Sequence, residues 1–124
     1  MSGVRDPVTL TAPDGRRITC HDGEHAAAVH LLTSWLVWHK VAAYVRDRDG
    51  DIDWTGLEAQ APLFASSEQL LAQAAMDLYC SPGQDTAVGL KRLCHTLDAE
   101  HLVRVLEAVC LLRPDAAPPR GWGR

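Results

Sequence analysis

Carboxylates at alternate positions are the strongest chemical signal in this 124-residue sequence. The stretch 47–58 reads Asp-Arg-Asp-Gly-Asp-Ile-Asp-Trp-Thr-Gly-Leu-Glu, with five acidic groups against one arginine. Its net charge of −4 therefore equals that of the whole chain. Calcium prefers hard oxygen ligands at alternating positions of a loop that a glutamate closes. The spacing makes this loop a candidate calcium site with the ligands Asp47, Asp49, Asp51, Asp53 and Glu58.

Over these twelve residues the sequence resembles the EF-hand calcium loop, whose ligands stand at positions one, three, five, seven, nine and twelve. Counting from Asp47 places Ile52 at position six, where the EF-hand loop has a glycine with a positive φ. Moving Gly50 to position six leaves Val45 at position one and Gly56 at position twelve. Neither frame satisfies the whole pattern. The alternative is a solvated acidic turn between two helices.

A second cluster of metal-ligand residue types lies at 20–25, where the sequence is Cys-His-Asp-Gly-Glu-His. Thiolate and imidazole suit zinc, so Cys20, His21 and His25 form a candidate zinc site. His21, Glu24 and His25 also match the letters of the His-x-x-Glu-His peptidase motif. Asp22 is a suitable helix N-cap, however, which would separate the two histidines onto different elements. A polar junction between a strand and a helix is the alternative.

The sequence contains no local motif for nucleophilic catalysis. The sequence contains neither a Gly-x-Ser-x-Gly elbow nor a glycine-rich phosphate loop. We expect Cys94 and Cys110 on the apolar faces of helices, and His95 and His101 at the surface. A small enzyme stays an open alternative, because a catalytic site can assemble from residues that are far apart in sequence.

Nucleic-acid binding is also disfavoured, because the acidic chain has no basic stripe. The segment 85–97 would be the recognition helix of a helix-turn-helix, yet Lys91 and Arg92 are its only cations. We therefore expect no nucleic-acid partner.

The elements that must position these groups are mainly helical. Alternating residues on both sides of Pro13-Asp14-Gly15 predict a β-hairpin at about 8–20. A long helix is predicted over 24–46, and start signals at Ser66, Ser81 and Asp98 predict three shorter amphipathic helices. The predicted fold is thus a single mainly α domain over 1–113, a compact bundle with an N-terminal hairpin. A Pro/Gly-rich extended tail follows at 114–124.

The predicted helix 24–46 is apolar around nearly its whole circumference, so it is either central to a core or shared with a partner. Its length would suit a membrane span, but His30, His39 and Lys40 would be costly in hydrocarbon. We expect no membrane span. The sequence shows no signal-peptide pattern and no Cys-x-x-Cys pair, which favours a cytoplasmic protein with reduced thiols.

These observations favour a non-catalytic protein–protein interaction or regulatory module, homodimeric through the helix 24–46. The expected interface anchors are Trp35, Trp38 and Tyr44, because aromatic residues dominate binding hot spots. Burial of all three in the protomer's own core is an equally open alternative. The second interpretation is a small calcium or zinc regulator, and the third is a small enzyme. The favoured interpretation needs no cofactor, whereas the metal-binding alternative implies calcium at the loop 47–58 or zinc at the Cys20–His25 cluster.

Overall fold

The computed structural model describes residues 8–46, 50–79 and 88–113. Two strands form an N-terminal hairpin, and the rest of the described chain is mainly helical. The strands are β1 (Val8–Thr11) and β2 (Arg17–Cys20). The helices are α1 (Gly23–Leu32), α2 (Trp38–Val41), α3 (Trp54–Gln60), α4 (Ser66–Tyr79), α5 (Leu90–Thr96) and α6 (Ala99–Leu112). Short 3-10 turns at Ala42–Tyr44 and Ala61–Leu63 follow α2 and α3. The predicted mainly helical fold with a short hairpin is confirmed.

The hairpin is antiparallel, with Val8 opposite Cys20 and Thr11 opposite Arg17. Its turn closes where the Arg16 carbonyl accepts the Ala12 N–H at 2.8 Å. Ile18 and Cys20 are buried, so one face of β2 packs on the helices. This contact is what a two-stranded hairpin requires, because it is marginal on its own.

Helix α1 is the centre of the fold. Asp22 caps its start, as predicted, by accepting the His25 N–H at 2.7 Å. The helix packs against α4, α6 and both strands. These contacts bury residues on every side of it, namely His25, Ala26, Ala27, Ala28, Val29, Leu31 and Leu32. The apolar circumference of α1 is therefore covered within the protomer.

The single helix predicted over 24–46 does not form. Helix α1 ends at Leu32, the chain turns over 33–37, and α2 begins at Trp38. Side-chain hydroxyls bond to the backbone at this point. Thr33 Oγ1 donates to the Val29 carbonyl at 2.8 Å beside the helical Thr33 N–H, and Ser34 Oγ accepts the Leu36 N–H at 3.1 Å. The turn brings Trp38 back into the core.

Helix starts in the second half of the chain agree partly with prediction. Asp98 caps α6 by accepting the His101 N–H at 2.8 Å, as predicted. The capping glutamate of α4 is Glu68, which accepts the Ala65 N–H at 2.9 Å, one residue earlier than the predicted Ser66–Gln69 pair. The predicted start at Ser81 and the tail 114–124 lie outside the described residues.

No helix within the described ranges has the length and hydrophobicity that crossing a bilayer requires.

Candidate functional site

The predicted calcium loop is described only in part, because Asp47 and Asp49 lie outside the described residues. Asp51 is exposed and pairs with Arg46 at 3.6 Å. Among the residues that the structure describes, no three His, Cys, Asp or Glu side chains form a group that could hold a metal ion. Calcium binding stays a prediction.

The second half of the acidic loop has a role in the fold. Asp53 caps α3 by accepting the Gly56 N–H at 3.1 Å, and Glu58 is exposed on the same helix. Ile52 is buried and forms an isolated antiparallel bridge with Val45. The side chain at position six of the predicted loop thus belongs to the hydrophobic core.

The Cys20–His25 cluster lies at the junction of β2 and α1. The buried His25 ring donates from Nε2 to the Gly50 carbonyl at 2.7 Å, and its Nδ1 accepts the His21 N–H at 3.4 Å. Burial raises the pKa of the Cys20 thiol to about 11, and the nearby Asp22 carboxylate adds to this rise. Zinc binds the thiolate, so this environment disfavours Cys20 as a ligand. The hydrogen bond from the His25 ring instead fastens Gly50 to the start of α1.

The three predicted interface aromatics differ in their surroundings. Trp38 is buried in the core, with the guanidinium carbon of Arg16 5.0 Å from its ring centre. Tyr44 is half-buried against the hydrophobic core. Trp35, in the turn 33–37, is 61% exposed. Of the three, Trp35 is the most exposed to a partner.

Three polar side chains form a hydrogen-bonded chain beside Trp35, in which Ser34 and His101 are buried and Asp98 is exposed. Ser34 Oγ is 2.7 Å from His101 Nε2, and His101 Nδ1 is 2.7 Å from Asp98 Oδ1. The carboxylate must accept, so Nδ1 carries the hydrogen and the Ser34 hydroxyl donates to Nε2. The His101 backbone N–H lowers the pKa of Asp98, and the imidazole hydrogen bond adds to this.

The order Asp98–His101–Ser34 is that of a serine hydrolase triad. Ser34 and His101 are each only 1% exposed, however, and Ser34 Oγ also accepts the Leu36 N–H. A nucleophile has to meet its substrate, and this hydroxyl is enclosed by the protein. In this arrangement the three residues fix the turn 33–37 to the first turn of α6.

Trp35 contacts His101 of this network and the neighbouring Glu100. Its indole Nε1 donates to Glu100 Oε2 at 2.5 Å, and its ring meets the His101 ring edge-on with centroids 5.2 Å apart. An edge-to-face arrangement is favourable for aromatic rings. These two contacts place the exposed indole against the first turn of α6.

Arg104 ties α6 to the end of α1. Its Nε donates to the His30 carbonyl at 2.7 Å, and a terminal nitrogen donates to Thr33 Oγ1 at 3.2 Å. Burial lowers the pKa of Arg104, an effect that the carboxylates of Glu107 and Glu100 oppose. The His30 carbonyl has no helical N–H partner because α1 ends here, and the Arg104 side chain supplies a hydrogen bond to it.

A shallow groove of about 380 Å³ lies on the same face of α6 and is largely open to solvent. Its lining residues are Ala99, Glu100, Val103, Arg104 and Glu107. Glu100 both lines this groove and accepts the indole N–H of Trp35, so the groove and the exposed ring are neighbours. We call Trp35 together with these five residues the Trp35–α6 surface.

Sequence reasoning missed this surface. His101 was expected at the surface and is buried, while Cys94 was expected on an apolar face and is exposed. Two signals were available: the three-residue spacing of Asp98 and His101, and a serine within an apolar run, which must find a partner when buried. That Ser34 is the partner of His101 depends on how α1 packs against α6.

Comparison of the chain with protein-family models, with curated proteins and with solved structures found no match.

Proposed function

We propose that the protein is a non-catalytic protein–protein interaction module that works as a homodimer through the Trp35–α6 surface. The observation that carries this proposal is the state of Trp35, an indole that is mostly exposed and yet held by Glu100 and His101. Tryptophan is enriched among binding hot spots. A side chain that is already fixed in place loses less conformational freedom on binding, so preorganisation favours association.

The proposal differs from the sequence-based interpretation in the residues that it uses. Trp38 lies in the core of the protomer, so its substitution would test folding rather than association. Trp35 lies in the same segment 24–46, but on the turn that interrupts it. The dimer contact is therefore assigned to this turn and to α6.

A cytoplasmic location is part of the same proposal. Its support is chemical: Cys20 and Cys94 both carry thiols, and the thiol of Cys20 is enclosed in the core. Thiols persist in reducing compartments.

One observation favours a second candidate function, serine hydrolysis. Ser34, His101 and Asp98 have the hydrogen-bond order and the distances of a triad. The burial of Ser34 ranks this candidate second, because Trp35 and its neighbours would have to move before a substrate met the hydroxyl.

Size-exclusion chromatography with light scattering tests the first proposal on the whole chain. We expect a mass twice that of one chain at high micromolar concentration, falling toward the monomer mass on dilution. A constant monomer mass across that range would overturn the proposal.

A further inference from the structure

We propose that a cavity at the junction of β2 and α1 binds a guanidinium group. The cavity has a volume of about 270 Å³ and is partly open to solvent. Its lining residues are His21, Asp22, His25, Asp51 and Tyr79, and we call it the junction cavity. It shares no residue with the Trp35–α6 surface, so this inference is independent of the homodimer.

Two stretches that the sequence singles out contribute to the junction cavity. His21, Asp22 and His25 belong to the 20–25 cluster, and Asp51 belongs to the acidic loop 47–58. They meet because the buried His25 ring donates to the Gly50 carbonyl at 2.7 Å, which places residue 51 beside the start of α1. Tyr79 joins them from the end of α4. Tertiary structure thus assembles the cavity from three parts of the described chain.

Aromatic rings form one wall of the junction cavity. The His21 and His25 rings stack with centroids 5.9 Å apart, and the His25 and Tyr79 rings meet edge-on at 6.5 Å. Tyr79 also packs against Trp54, with centroids 5.1 Å apart. These ring contacts restrain the wall before any ligand arrives. Aromatic side chains attract organic cations, and a guanidinium stacks on them because it is only weakly hydrated.

Two carboxylates supply negative charge beside this wall. Asp22 and Asp51 are exposed, and the lining of the junction cavity contains no lysine or arginine. Asp22 caps α1 through Oδ1, and an ionised carboxylate has the capacity to accept several N–H groups. Asp51 lies 3.6 Å from Arg46, but both side chains are more than half exposed. Because exposed ion pairs are weak, a ligand cation can compete with Arg46 for this carboxylate.

A guanidinium is the group that combines these two features. Its planar fork of N–H groups pairs with carboxylates, and its face stacks on aromatic rings. Two carboxylates repel an anion, and within the described ranges no three metal-ligand side chains form a group that could hold a metal ion. Pockets for drug-sized ligands measure about 300–1,000 Å³, so the junction cavity suits a smaller ligand.

Titrations with ethylguanidinium and with ethylurea, its neutral counterpart of nearly the same shape, test the proposal on the whole chain. Backbone amide shifts of the isotope-labelled protein are followed by NMR. We expect saturable shifts at His21 and Tyr79 with ethylguanidinium and a dissociation constant of about 1–10 mM, because the ligand has few atoms. Ethylurea should cause no saturable shift there. Equal binding of the two compounds, or saturable binding of neither, would overturn the proposal.

The peptide Gly-Arg-Gly identifies the source of the group, since it presents a guanidinium on a side chain. Tighter binding of the peptide than of ethylguanidinium would support an arginine of a partner protein as the ligand. Tighter binding of ethylguanidinium would support a free small molecule. Both results retain guanidinium recognition.

Asp51→Asn tests the assignment to the junction cavity, because it removes one charge and nearly keeps the shape of the side chain. We expect it to weaken ethylguanidinium binding by about two- to fivefold, the range for an exposed ion pair. Glu58→Gln is the matched control, since Glu58 is an exposed acidic residue of the same loop that does not line the cavity. It should bind as the wild type does. Equal affinity of the two variants, both folded by circular dichroism, would overturn the assignment.

Discussion

Ser34 Oγ and His101 Nε2 lie 2.7 Å apart, although 67 residues separate them in the chain. This bond joins the turn after α1 to the first turn of α6, and both side chains are buried. Trp35 lies in this turn, next to Ser34. The Ser34–His101 bond therefore positions the exposed Trp35 side chain. The account of function thus depends on a polar contact inside the protein.

Removing this contact should destabilise the fold. We expect Ser34→Ala to lower the free energy of unfolding by about 1–3 kcal/mol, because His101 Nε2 would stay buried without a partner. Urea denaturation monitored by circular dichroism measures the change. The control is His95→Ala, which removes an exposed imidazole on α5 and should change stability by less than about 0.5 kcal/mol. Equal effects of the two variants would contradict the structural role of the pair.

The enclosed Ser34 hydroxyl should not react as a hydrolase nucleophile. We expect a fluorophosphonate probe to leave the native protein unmodified, because Ser34 is 1% exposed and also accepts the Leu36 N–H. Intact-mass spectrometry after incubation is the measurement. Stoichiometric labelling of Ser34 that His101→Ala abolishes would reverse the ranking of the two candidate functions.

Gly50 should be far less replaceable than the hairpin glycine. Gly50 has φ +69°, and a Cβ there would lie 2.5 Å from Ile18 Cγ2. Gly15 has φ +92° with open space around it. We expect Gly15→Ala to cost about 1–2 kcal/mol from the left-handed backbone alone, and Gly50→Ala to cost more because the core must also shift. Thermal unfolding of both variants compares them, and equal losses would be inconsistent with the close contact.

Stability should fall as the pH drops below neutrality, and His30 should be one cause. Burial lowers the pKa of His30 from its ordinary value of 6.5, while the hydrogen bond to Glu107 opposes this shift. The unfolded chain therefore takes up a proton at a higher pH than the folded chain does. The His30 contribution is complete above pH 6.5 and is lost as the pH falls through 6.5 toward the lowered value.

Urea unfolding between pH 7.5 and 5 measures this dependence. We expect His30→Gln to reduce the slope of unfolding free energy against pH in that range, whereas the exposed His95→Gln should keep the wild-type slope. An unchanged slope in His30→Gln would contradict the role of His30.

The sequence was sufficient for features that depend on neighbouring residues. The hairpin follows from turn chemistry at 13–15, and the helix starts at Asp22 and Asp98 follow from the preference of aspartate for N-caps. Each of these features depends on a few consecutive residues, so no tertiary contact had to be known.

Features that depend on packing could not be predicted in the same way. The hydropathy of 24–46 predicts one helix. The helix ends at Leu32 instead, and Arg104 of α6 donates to the His30 carbonyl there. His101 was predicted at the surface because its partner Ser34 is 67 residues away in the chain, in the turn 33–37. The break in the helix and the Ser34–His101 hydrogen bond both depend on the packing of α1 against α6. Patterns of neighbouring residues do not show this packing.

Sedimentation equilibrium of the wild-type protein beside Trp35→Ala tests the central claim most directly. Trp35 is mostly exposed, so the variant should fold, which circular dichroism would verify. We predict a wild-type dimer and a folded Trp35→Ala monomer, with the dissociation constant raised by about thirtyfold or more, as expected for a hot-spot tryptophan. A wild-type monomer, or a Trp35→Ala dimer of wild-type affinity, would contradict the account.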